Sequence, residues 1–187
     1  MNTKELYIKG MVCSRCIKVL QNKLEENGVT VQDICLGRIV IQYASGDINK
    51  HQIYKIIRDN EFDVIRDPST LLAEKTRRQV TEFVRNPDRK INLSRFLYRK
   101  LNRNYDQISK NFSDVYGRTL ERYYLILKIE RAKELIENGD HNFSEIAWQI
   151  GYQHPSALSR QFKKETGMTL REYQQLEKRD RIPLDRI

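Results

Sequence analysis

Residues 142–162 read Asn142-Phe143-Ser144-Glu145-Ile146-Ala147-Trp148-Gln149-Ile150-Gly151-Tyr152-Gln153-His154-Pro155-Ser156-Ala157-Leu158-Ser159-Arg160-Gln161-Phe162, and this order decides the architecture of the second half of the chain. Asn142 and Glu145 have the spacing of a capping box, in which each side chain satisfies a backbone N–H at the start of a helix. Ile146, Ala147 and Ile150 form the inner face of that short helix, and Gly151-Tyr152 turns the chain. Pro155 suits the first position of the next helix, where its missing N–H is not needed. In that second helix Leu158 and Phe162 are four apart and face inward, which leaves Ser156, Ser159, Arg160, Lys163 and, at the edge, Gln161 outside. Helix, glycine turn and helix make a helix-turn-helix, whose second member is built to enter the major groove of DNA.

The same unit occurs twice. Ser109-Lys110-Asn111-Phe112 returns fifty positions later as Ser159-Arg160-Gln161-Phe162, and Gly117, Thr119, Leu120 and Tyr123 return as Gly167, Thr169, Leu170 and Tyr173. A basic residue, an inward Phe, a Gly stop and a Thr cap keep their spacing, which marks a duplicated supersecondary unit. Between the copies, residues 120–138 read as one long helix, with Leu125, Ile129, Ala132 and Ile136 as its apolar seam.

Residues 93–173 resemble the AraC-type DNA-binding domain. The resemblance rests on Phe143-Ser144-Glu145-Ile146-Ala147 with Gly151-Tyr152, on Arg160-x-Phe162-Lys163-Lys164-x-x-Gly167-Met168-Thr169, and on Lys128-Ile129-Glu130-Arg131-Ala132-Lys133-Glu134-Leu135. It implies two recognition helices in successive major grooves, about 34 Å apart. It also implies that Asp106, Gln107 and Lys110 read bases in the first unit, and Pro155, Ser156 and Arg160 in the second. The first unit departs further from the pattern: Tyr98 stands where the family prefers Ala, Asn102 where it prefers Gly, and Asp106 sets a carboxylate against phosphates. Arg160 is the strongest single candidate, as a bidentate partner for guanine or as a phosphate contact. Trp148 is expected on the exposed side of its helix, against the DNA backbone, against the connector or in plain packing.

The first 68 residues follow a different pattern. Leu6 and Ile8 mark a strand, Ile17, Leu20 and Leu24 a helix ended by Asn27-Gly28, and residues 29–36 and 39–44 two strands joined at Gly37-Arg38. A second helix with Ile48, Ile53, Ile56 and Ile57 leads to a last strand over 62–66. The order is βαββαβ, a ferredoxin-like arrangement. Between the first strand and the first helix lies Gly10-Met11-Val12-Cys13-Ser14-Arg15-Cys16, two thiols three positions apart at a helix start, where backbone N–H groups favour an anion.

This region resembles the heavy-metal-associated domain of copper chaperones and copper-pumping ATPases, through that loop, Leu20, Leu24 and Phe62. The resemblance implies Cys13 and Cys16 as metal ligands, Met11 anchoring the loop from below, and Phe62 shielding it. Glu61 stands where that family keeps a Gly. Two thiolates suit a soft ion of low coordination number such as Cu(I) better than zinc, which wants four ligands. A redox pair and an incidental pair are the other readings of the two thiols. Cys35 reads as a small buried hydrophobe, or as a third ligand or resolving thiol toward the loop end of the sheet. His51, His141 and His154 are scattered and make no ligand spacing with the cysteines.

The 187 residues thus divide into a domain over 1–68, a connector helix within 69–90 and an all-α domain over 91–187, an α+β chain in total. The net charge of +9 is unevenly placed: residues 1–68 hold 10 basic and 9 acidic residues, residues 69–187 hold 24 and 16. The basic excess points the second part at a polyanion, double-stranded DNA. No apolar run of about 18 residues and no leader pattern is visible, and three cysteines do not make a secreted disulfide framework, so no membrane partner and a cytoplasmic location are expected. No catalytic constellation stands out. The expected function is that of a transcription regulator, monomeric or homodimeric, with RNA polymerase allowed as a further partner and Cu(I) or another soft ion as the effector.

Overall fold

The computed structural model describes residues 2–187 except 12–13, 45, 47, 88–89, 178–179 and 185–186, and the side chain of Ser14. The chain divides into two compact units, Met1–Leu71 and Leu72–Ile187. The first contains β1 (Asn2–Lys9), α1 (Ser14–Glu25), β2 (Thr30–Cys35), β3 (Arg38–Tyr43), α2 (Lys50–Asp59) and β4 (Asp63–Val64). The strands form one sheet in the order β2-β3-β1-β4, with every neighbouring pair antiparallel. Leu6 and Ile8 of β1 and Ile39 and Ile41 of β3 pack in one core with Leu20 and Leu24 of α1 and Ile53 and Ile57 of α2. Their spacings of two in strands and four in helices are what place them on one side.

The last strand is shorter than its apolar run suggests. Phe62 N–H donates to Ile57 O at 3.1 Å and so finishes the end of α2 instead of joining the sheet. Pairing with β1 is confined to Val64 with Ile8 and Asp63 with Lys9, plus Ile65 N–H to Tyr7 O at 2.8 Å.

The second unit is helical: α3 (Pro68–Arg85), which starts before the boundary, α4 (Leu93–Leu101), α5 (Tyr105–Tyr116), α6 (Leu120–Asn138), α7 (Phe143–Gln149), α8 (Pro155–Thr166) and α9 (Leu170–Gln174). The helix expected in the connector belongs to this unit's packing. Val80, Phe83 and Val84 of α3 share a core with Leu97, Ile108, Phe112, Leu120, Tyr123 and Leu127. A separate core holds Ile129, Ala132, Leu135 and Ile136 of α6 with Ile146, Ala147, Leu158, Phe162 and Tyr173. The single seam expected on α6 is therefore corrected: its first half is buried against α4 and α5 and its second half against α7 and α8, with Leu125 only half-buried. A helix serving two cores in succession is apolar on more than one face, which hides any single stripe.

The duplication is visible in detail. Gly117 and Gly167 stop α5 and α8 in the left-handed region, at φ 65° and 77°, and Thr119 and Thr169 accept from the backbone N–H groups of Arg122 and Glu172 at the next helix starts. Phe112 stacks on Tyr123 at 5.1 Å, and Phe162 meets Tyr173 edge-on at 5.5 Å. The copies differ in the turn. Asn102 takes the left-handed position at φ 50° in the first unit and Gly151 at φ 75° in the second. Asn is the non-glycine residue that adopts this conformation most readily, so the first turn keeps its shape without the glycine. Tyr98 does not occupy an inward Ala position: it is 56% exposed, and Leu97 is the fully buried neighbour of α5.

Candidate nucleic-acid interface and cysteine loop

α8 presents one polar face. Its core side is fixed by Leu158 and Phe162, both 0% exposed, so Ser156, Ser159, Arg160, Lys163 and Lys164 are left outside. Ser159 hydroxyl donates back to Pro155 O at 3.2 Å. Gln161, expected at the edge, is half-buried, and its amide donates to Glu165 at 3.0 Å, which commits it to the helix flank. Glu165 is held from α6 by Arg122 at 2.6 Å. Arg171 of α9 joins Arg160 and Lys163 around a depression of about 390 Å³ that also touches Thr169. Sequence periodicity missed Arg171 because it lies beyond the Gly167 stop; its place directly after the Thr169-Leu170 cap is the signal that could have found it.

α5 places Asp106, Gln107 and Lys110 on its exposed side. Fifty positions apart, Lys110 matches Arg160, but Asp106 matches Ser156 and Asp114 matches Lys164. The exposed side of α5 thus carries two carboxylates and one ammonium, whereas that of α8 carries three cations and no acid. Asp106 has a local reason: it lies in the first turn of α5, where a carboxylate is stabilised by the unpaired N–H groups.

Between the two halves of this unit lies a cleft of about 930 Å³ with Phe83, Tyr105, Tyr124, Trp148 and Tyr152 among its walls. Trp148, 45% exposed, lines this cleft together with Phe83 of α3. Tyr105 hydroxyl donates to Glu121 at 2.7 Å at its rim. Lys128 of α6, only 8% exposed, sets its ammonium over the Tyr152 ring at 3.5 Å and near the Tyr124 ring at 5.4 Å. Burial pushes the Lys128 ammonium down to about 8. The sequence places Lys128 only in a family motif, because its aromatic partners lie four residues back and across the turn of α7.

In the first unit, Cys16 lies in the first turn of α1, half-buried, with its thiol 4.0 Å from Gly10 O. Cys13 lies outside the described residues. Met11 is buried in the core, and so is Phe62. Gly10, at φ 94°, has Glu61 O and the Phe62 ring at 3.4 and 3.5 Å from where a Cβ would sit, so Phe62 packs directly beside the loop. Glu61 is exposed and adopts φ 65°, a left-handed conformation that favours glycine. Cys35 lies toward the end of the sheet at which β1 leads into the loop. It closes the β2–β3 hairpin opposite Arg38, 3.9 Å from Arg38 O, and Arg38 is in turn opposite Tyr7 of β1. Two strand spacings, about 10 Å, thus separate Cys35 from β1. Arg38 hydrogen-bonds Glu5 and Asp33; burial works against its charge, and these two carboxylates outweigh that and hold it firmly protonated. Among the described residues, no group of three or more His, Cys, Asp or Glu is placed to share a metal ion. No helix of the described residues is long and apolar enough to cross a membrane.

Residues 97–176, which include α5 to α9, match a family described as a helix-turn-helix domain. The fold of the second unit is similar to the C-terminal domain of AraT, a response regulator from Geobacillus stearothermophilus, at 18% identity over 58% of this chain and 87% of that one, with a TM-score of 0.51. The C-terminal domain of the two-component response regulator YesN from Fusobacterium nucleatum is 24% identical over 57% of this chain and 96% of that one, at a TM-score of 0.45. The CopZ metallochaperone is 28% identical over 34% of this chain and all of that one, at a TM-score of 0.33. No curated protein matches the chain. The second unit therefore carries a helix-turn-helix domain.

Proposed function

We propose that this chain is a sequence-specific DNA-binding transcription regulator whose second recognition helix, α8, makes the dominant contacts. The observation that carries this is the exposed face of α8: three cations and two hydroxyls on a rigid helix, in a unit that matches the helix-turn-helix family. Arg160 reads a base, Lys163 and Arg171 hold phosphates, and α5 reads a second groove through Gln107 and Lys110. Replacing Arg160 by Ala should weaken binding to a duplex selected from a random pool by about 1–3 kcal/mol and relax preference at one position. Unchanged affinity and unchanged preference would contradict this role.

The first unit is read as a ferredoxin-like frame for a soft-metal input, with Cu(I) held by Cys13 and Cys16. Cys16 in the first turn of α1, Met11 buried in the core and Phe62 packed against Gly10 support this reading. Thiolate ligands suit a soft monovalent ion, and the ion would act as a signal. Titration of the reduced full-length protein with Cu(I) in the presence of a competing chelator tests it. Binding of one ion, lost in Cys13→Ser and in Cys16→Ser, is expected. No binding, together with DNA affinity that changes on thiol oxidation, would establish a redox switch instead; no response to either would leave the first unit as a dimerisation or partner module.

A further inference from the structure

α3 lies outside residues 97–176, the stretch that matches the helix-turn-helix family, yet it grips the first reading helix directly. Glu74, six residues into α3, accepts a hydrogen bond from the hydroxyl of Tyr116, the last residue of α5. Its other oxygen accepts from Arg77 Nε at 3.0 Å. One turn further, the Thr81 hydroxyl lies 3.4 Å from the Tyr123 hydroxyl of α6. The side chains of Glu74 and Arg77 are only 20% and 17% exposed. Burial works against the Arg77 guanidinium, and Glu74, together with Tyr123 and Tyr116, more than offsets it. Burial pushes the Tyr116 phenol up, and its bond to Glu74 pushes the same way, so Tyr116 remains a donor at every pH at which the protein works. Beyond this polar cluster Val80, Phe83 and Val84 enter the core beneath α5, and Phe83 packs on Phe96 of α4 at 4.9 Å.

We infer that Glu74 and Arg77 are positioning residues for DNA reading: they fix the C-terminal end of α5, and with it the angle at which Gln107 and Lys110 are presented. Glu74 is three residues past Leu71, where the first unit ends, and its hydrogen bond goes to the recognition helix α5. In the second recognition helix Thr166, the counterpart of Tyr116, turns its hydroxyl to Phe162 O within α8 at 2.8 Å, and the end of α8 is held instead from α6, by Arg122 on Glu165 at 2.6 Å. A change at Glu74 therefore acts on α5 ahead of α8. This rests on the DNA-binding reading, and its test has one arm that does not need DNA.

The test uses the full chain with Glu74→Gln, Glu74→Ala and Tyr116→Phe. Amide hydrogen exchange is followed in α5 and α8 without DNA. Glu74→Ala and Tyr116→Phe should speed exchange in the last two turns of α5 by about tenfold or more while α8 is unchanged, and Glu74→Gln, which still accepts from Tyr116, should recover part of the protection. Unchanged α5, or equal acceleration in α5 and α8, overturns the proposal. In the second arm, duplexes selected from a random pool by the unaltered chain are scrambled in one half at a time. The variants should lose discrimination against scrambling of the α5 half and keep it for the α8 half; equal loss in both halves overturns the positioning role. If no duplex is enriched, the DNA-binding reading fails, and the exchange arm still decides whether Glu74 holds α5.

Discussion

Glu61 shows how one residue can record a departure from the pattern around it. It is the left-handed residue that closes α2, with Glu61 N–H on Arg58 O at 3.0 Å and Phe62 N–H on Ile57 O at 3.1 Å. An L-residue with a Cβ in this conformation carries a strain of about 1–2 kcal/mol, partly offset by the greater freedom glycine has when unfolded. Glu61→Gly should therefore stabilise the chain by about 0.5–1 kcal/mol, read as a higher midpoint in chemical unfolding of the first unit. Lys128 predicts the opposite kind of test. Its ammonium is pushed from 10.5 to about 8 by burial, so it binds a proton more weakly in the folded chain than in the unfolded one. The penalty is complete below pH 8 and fades as pH rises toward 10.5, which means stability should climb with pH in that window. The full shift corresponds to about 3 kcal/mol, of which the faces of Tyr124 and Tyr152 recover about 1–2 kcal/mol. Lys128→Met should thus stabilise the protein by about 1–2 kcal/mol at pH 7 and by progressively less at pH 9 and above, measured by urea unfolding across pH. The first effect has a trace in the sequence, since Glu61 stands where a Gly is usual, whereas the burial of Lys128 has none: it depends on Tyr152 reaching across from the turn after α7.

At the scale of elements, the helix starts and stops of the second unit were the most legible features. Asn142 accepts from Ser144 and Glu145 backbone N–H groups at 3.0 Å, and Glu145 accepts from Asn142 N–H at 2.8 Å, as the spacing suggested. Asn142→Ala should cost about 1 kcal/mol, and because α7 has only seven residues the loss should appear as faster amide exchange through that helix. Local hydrogen bonds depend on neighbours in sequence, which is why such caps can be read directly. The long helix α6 is harder to read for the converse reason. Its burial is set by two partner pairs on different sides, so Leu120, Tyr123 and Leu127 belong to one core and Ile129, Ala132 and Ile136 to another. The apolar run over 62–66 overstates β4 because the backbone of Phe62 is used to finish α2, a choice made by geometry and not by the hydrophobic run.

Across the whole chain, the uneven charge is the property with the widest consequence. Part of the basic excess of residues 69–187 lies on α4, with Arg95, Arg99 and Lys100 and no acid, and part on α8, whose exposed face carries Arg160, Lys163 and Lys164, while α5 brings Asp106 and Asp114 to its exposed side. Each phosphate contact contributes about 0.9 to the slope of log affinity against log salt. Lys163→Gln and Arg171→Gln should therefore each lower that slope by about one, and Lys164→Gln by less, in titrations of a single duplex at several salt concentrations. The measurement that bears most directly on the central reading is selection of the full chain against a random DNA pool. Two helix-turn-helix units on one long helix predict two blocks of preferred sequence about 10–10.5 base pairs apart, the stronger one losing its preference in Arg160→Ala. Failure to enrich any sequence, or enrichment that Arg160→Ala leaves intact in both blocks, would contradict it.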